Sequence, residues 1–115
     1  MTDHGYRLFY RIARTNPTTL YDYQSAKERG FDEPQSPAHR AVWDGLSVYS
    51  TINQARRKQR ISPNIGKFIA VLRVPMDGTI QVMRTLGGDG HHTLWAPAPV
   101  LRSLEVSVEP AERVH

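Results

Sequence analysis

The run Phe68-Ile69-Ala70-Val71-Leu72 is apolar at every position, and it constrains the fold more than any other segment. An extended chain sends alternate residues to opposite faces, so a strand here needs cover on both sides and belongs inside a sheet. At 115 residues the chain can build one such core and not two. Residues 1–115 are therefore read as a single domain with its core over about 6–110 and flexible termini.

The segments around that strand have their own signatures. Tyr6 to Ala13 alternates, setting Leu8, Tyr10 and Ile12 against Arg7, Phe9 and Arg11, and Asn16-Pro17 breaks it. Thr19 with Asp22 can cap a helix from about Thr19 to Arg29, closed by a left-handed Gly30. Ser36-Pro37 opens another that ends at Asp44-Gly45. Leu46 to Ser50 is a brief strand, and Thr51-Ile52-Asn53-Gln54 is a capping-box start for a helix to about Ile61, stopped by Ser62-Pro63-Asn64. Thr79 to Arg84 and Leu104 to Glu109 alternate, the latter expected to bury Leu104, Val106 and Val108 while Glu105, Ser107 and Glu109 face water. Helices come early and strands late, which predicts α+β with a mainly antiparallel sheet and short helices.

Charge narrows the partners. The net charge is +4, and between Gly45 and Met76 no Asp or Glu occurs while Arg56, Arg57, Lys58, Arg60, Lys67 and Arg73 do. A positive surface of this kind suits RNA or an acidic protein, although Arg56, Arg57, Lys58 and Arg60 also read as the solvated face of a helix. With no cysteine there are no disulfides or thiolate metal sites. Met1-Thr2-Asp3-His4 lacks a signal-peptide pattern and no apolar stretch could span a bilayer, so a soluble cytoplasmic protein is expected.

Four constellations could carry chemistry. Arg11 shares its strand face with Arg7 and Phe9, where a guanidinium could fork two hydrogen bonds to a phosphate or lie in solvent. In Ser47-Val48-Tyr49-Ser50, hydroxyl and ring together suit a stacked base or ribose, while Ser50 or Thr51 could instead cap the next helix. In Gly87-Gly88-Asp89-Gly90-His91-His92-Thr93-Leu94-Trp95, imidazoles suited to proton transfer near neutral pH follow a glycine-rich turn. Extended, His91 and His92 point to opposite faces, so only one can enter a given cleft, and adjacent histidines are poorly spaced for a metal. Trp43 at a helix end reads as a core anchor.

The order of these parts resembles the ADP-ribosyltransferase fold, particularly small bacterial toxin-like members such as RES-domain proteins. The resemblance lies in Tyr10-Arg11 on a first strand, a helical insertion, the strand Gly45-Leu46-Ser47-Val48-Tyr49-Ser50-Thr51, a helix, and the strand ending Ile69-Ala70-Val71-Leu72. It implies a split sheet that binds NAD, with Arg11 on phosphate and Ser47, Tyr49 or Ser50 shaping the nicotinamide pocket. Family transferases also use a late-strand glutamate; the corresponding place here holds His91-His92-Thr93, so His91 or His92 would act on the ribose or leaving group. No metal is implied. Two other functions fit the same residues: a metal-independent ribonuclease toxin in which histidine takes the 2′-hydroxyl proton, and a non-enzymatic basic module.

Overall fold

The computed structural model describes residues 5–85 and 90–112. Its strands are β1 (Tyr6–Ala13), β2 (Leu46–Tyr49), β3 (Phe68–Pro75), β4 (Gln81–Arg84), β5 (His91–Trp95) and β6 (Glu105–Pro110). They form one antiparallel sheet in the order β4-β5-β2-β1-β3-β6. Three short helices, α1 (Pro37–Arg40), α2 (Ile52–Ile61) and α3 (Ala98–Ser103), complete an α+β domain. Among the described residues, no helix is long and apolar enough to cross a membrane.

The strength of pairing varies sharply across the sheet. β1 pairs with β3 along its whole length, from Tyr6↔Pro75 to Ala13↔Phe68. Against β2 it registers only at Tyr10↔Tyr49. Two three-stranded halves therefore meet at a narrow seam, and backbone groups on either side of it need partners other than a ladder.

β3 has the double cover that its sequence demands. Ala70, Leu72 and Val74 enter a core with Phe9, Tyr23 and Leu94, while Ile69 joins Ile12, Tyr49 and Ala55 on the other face. Burial of each large side chain contributes about 1.5–3 kcal/mol. α2 closes the second core, and its N-terminus is the predicted capping box: Thr51 Oγ1 accepts the Gln54 amide at 3.2 Å and Gln54 Oε1 accepts the Thr51 amide at 3.1 Å.

Several expectations need correction. The segment from Thr19 to Arg29 is not one helix but a 3₁₀ turn, Leu20–Tyr23, followed by irregular turns. Asp22 caps the first by accepting the Thr19 amide at 3.0 Å, while Ser25 and Glu28 form a second reciprocal cap (3.0 and 3.1 Å) that restarts the chain before a helix can extend. The chain turns at Gly30, whose φ of +89° favours glycine. The helix opened at Ser36-Pro37 is only the four residues of α1. α3 was unexpected; Pro97 and Pro99 fall where a helix has no use for their missing amides. Trp43 belongs to neither core: it is half-buried, donates to the Phe31 carbonyl at 3.1 Å and ties down a loop.

The alternation expected in β6 holds for Leu104 and Val108, which pack against the core, and for exposed Ser107 and Glu109, but it breaks at Glu105 and Val106, where the strand bulges. Its register passes from Val71↔Ser107 to Leu72↔Glu105, which leaves Val106 unpaired and 57% exposed. Glu105 turns inward instead, and its carboxylate accepts the Tyr23 hydroxyl at 2.6 Å and the Thr18 hydroxyl.

Close packing at the start of β2 supplies a stability test. A Cβ at Gly45 would lie 2.9 Å from Trp95 Nε1 and overlap Thr93. Gly45→Ala is expected to cost about 1–3 kcal/mol through overpacking, measured as a lower denaturant midpoint with an unchanged m-value.

Candidate functional site

The seam between β1 and β2 opens into a cavity of about 150 Å³ lined by Arg11, Ile12, Arg29, Ser47, Tyr49 and Ile65. It forms because the strands part after Tyr10↔Tyr49, leaving room for a side chain where a ladder would otherwise run. Arg11 takes that room. Its Nε donates to the Asp22 carbonyl at 2.8 Å and its Nη1 to the Ser47 carbonyl at 3.0 Å. The guanidinium thus satisfies backbone acceptors from the 3₁₀ turn and from β2 at once.

The Asp22 side chain makes this acceptor rigid. Buried, it accepts the Arg14 amide at 2.8 Å and the Thr19 amide at 3.0 Å, which fixes the turn that offers its carbonyl to Arg11. Burial lowers the Arg11 pKa to about 10, and the charge of Arg29 acts in the same direction against Asp22, Tyr23 and Tyr49. Arg11 still carries its charge at neutral pH.

Arg29 is the second cation of the cavity. Its Nε and Nη2 donate to the Tyr21 carbonyl at 3.2 and 2.9 Å, and its guanidinium stacks 4.5 Å from the Tyr21 ring centroid. Burial lowers its pKa as well, opposed by Tyr21 and Asp22. No carboxylate is among the lining residues.

Tyr49 forms the wall on the β2 side. Burial raises its pKa against the pull of Arg11, and its ring meets His91 edge-on with centroids 5.5 Å apart. His91 is itself buried, with Nδ1 2.8 Å from Thr85 Oγ1, which in turn lies 2.8 Å from Thr93 Oγ1. Desolvation holds its pKa below the ordinary 6.5, and the charges of His92, Lys58 and Arg11 add to this against the Thr85 hydrogen bond.

The pleat sends the two histidines to opposite faces, as the sequence predicts. The His92 ring packs on Phe9 at 5.1 Å, and its Nδ1 donates to the Gly90 carbonyl at 2.8 Å. It is thereby removed from the cavity. Ser50 also departs from its candidate role: its hydroxyl donates to Gln54 Oε1 at 2.8 Å at the start of α2. Ser47 meets Arg11 through its carbonyl. Gly87, Gly88 and Asp89 of the glycine-rich run lie outside the described residues, as do Met1–His4 and residues 113–115.

Arg11, Ser47 and Tyr49 thus line one cavity, with His91 directly behind Tyr49. Arg29 escapes a reading of the sequence, because a cation just before a helix-ending glycine has an ordinary role as a C-terminal charge. Glu105 stands apart, with β3 between its strand and β1, beside Thr18 and a Tyr23 hydroxyl whose pKa is raised mainly by burial. Among the described residues, no group of three His, Asp or Glu side chains is placed to hold a metal ion. No family model, curated protein or solved structure matches the chain.

The environment of His91 sets a pH dependence. Its folded pKa is below the unfolded value, so the unfolded chain takes up the proton first as pH falls, and stability drops below about pH 6.5. The fall in Tm between about pH 7 and about pH 5 should be smaller in His91→Gln than in the parent protein. Parallel pH profiles for the two would show that His91 does not carry this dependence.

Proposed function

We propose that this chain is an ADP-ribosyltransferase-like protein that binds NAD or a closely related nucleotide at the β1–β2 seam, with the phosphates against Arg11 and Arg29. The observation that carries this is the pairing of two partly buried guanidiniums around one small cavity with no lining carboxylate. Like charges brought together away from water oppose one another, and an anion entering between them relieves that repulsion while gaining charge-assisted hydrogen bonds.

The donor set fits phosphate better than a neutral ligand. Arginine presents planar, directional donors, and Arg11 is pre-oriented by two backbone carbonyls, so little rotamer freedom is lost on binding. At about 150 Å³ the cavity is too small for a whole dinucleotide and takes its phosphate portion. Tyr49 closes the same wall as a buried member of the second core, and His91 meets its ring edge-on from behind as a positioning residue.

Isothermal titration with NAD, ADP-ribose and adenosine tests this directly. NAD and ADP-ribose should bind, and adenosine should bind far more weakly. Arg29→Gln and Arg11→Lys should each cost about 1.5–3 kcal/mol, roughly ten- to hundredfold in Kd. Equal affinity for adenosine and NAD, or no effect of either substitution, would contradict the assignment.

A further inference from the structure

Away from the cavity, three adjoining elements offer only positive charge: α2 and β3 hold Arg56, Arg57, Lys58, Arg60 and Arg73, and neither they nor β1 contains an Asp or Glu. The orientation of α2 follows from its contacts. Ala55 and Gln59 are buried against the sheet, the Gln54 side chain lies against Gly90, and the charge of Lys58 reaches His91, so that flank faces β5. At about 100° per residue, Arg56 and Arg60 occupy the opposite flank, on the β3 side. The Arg56 Nε is buried there without a hydrogen-bond partner.

The sheet beside this flank is partly bare. Tyr6 and Leu8 share a face with Tyr10 and Ile12, which pack beneath α2, yet Tyr6 is 59% and Leu8 44% exposed. Arg73 pairs opposite Leu8 and stacks its guanidinium 4.0 Å from the Tyr6 ring centroid. One side of the ring is thus held by a cation, and the ring belongs to an accessible sheet surface. The carboxylates at the borders are Glu109, opposite Ile69, which packs with Ala55 beneath α2; Glu112, which lines a cavity with Gln59 and Lys67 past the end of β6; and Asp77, which accepts the Thr79 amide and hydroxyl.

We propose that this face binds single-stranded nucleic acid, with a base stacked on Tyr6 and phosphates following Arg73 and the Arg56–Arg60 flank. Exposed aromatics on a sheet with a cationic margin suit unpaired bases, whose π-faces are available, whereas duplex bases are already stacked. The phosphate backbone supplies the charge complement and makes binding salt-dependent. The surface is distinct from the nucleotide cavity and does not rely on it.

Fluorescence anisotropy with a labelled oligouridine of about twelve nucleotides tests the proposal. Binding is expected at low salt and should weaken steeply as salt rises. Tyr6→Leu and Arg73→Gln should each weaken it about tenfold, the second also reducing the salt slope by about one. Both residues are exposed, so thermal melts should match the parent, and NAD affinity should not change in Tyr6→Leu. Four results would overturn the proposal: no binding at low salt, equal affinity for a duplex of the same length, parent-like affinity in both variants, or displacement by polyglutamate as readily as by unlabelled RNA.

Discussion

The insertion of one guanidinium between two strands is the interaction on which the rest of this molecule depends. β1 and β2 touch at Tyr10↔Tyr49 and then separate, and Arg11 spans the opening by donating to Asp22 on one side and Ser47 on the other. A buried carbonyl without a donor costs about 1–3 kcal/mol, so the arginine stabilises the parted strands as well as lining the space between them. One residue therefore holds the seam together and is also the proposed anion contact. Backbone dipoles hold the cation in place, and the Asp22 carboxylate whose charge reaches it is itself engaged by the Arg14 and Thr19 amides.

The sheet divides labour between its faces. One face is the larger core, where the His92 ring packs at a tilt on Phe9 and Glu105 accepts the Tyr23 and Thr18 hydroxyls. The other carries α2, Tyr49 and His91. Adjacent histidines thus do different things because a pleat separates them. His92 pins the turn at Gly90 through its carbonyl, and His91 joins the end of β4 to the tyrosine that borders the cavity. The histidine pair supports the site's geometry more than it enters the site.

Elements with local causes are legible in the residues themselves. The all-apolar run of β3, the alternation of β1 and the reciprocal cap at Thr51 and Gln54 each state their outcome in a few residues, and each appears as expected. Features set by distant partners are not legible in this way. The bulge that turns Glu105 inward depends on β3, and the interrupted helix after Thr19 depends on competing caps at Asp22 and Ser25. The same division holds at the site. Arg11, Ser47 and Tyr49 can be read from strand pattern and residue type, whereas Arg29 reaches the cavity only through the path of an irregular loop.

Arg11 and Arg29 are proposed to form one anion site at the seam. A crystal structure of the protein with NAD bound tests it most directly. Phosphate oxygens are expected within hydrogen-bonding distance of both guanidiniums, with Arg11 still held by the Asp22 and Ser47 carbonyls. NAD located elsewhere on the molecule, or absent from the seam at saturating concentration, would contradict it.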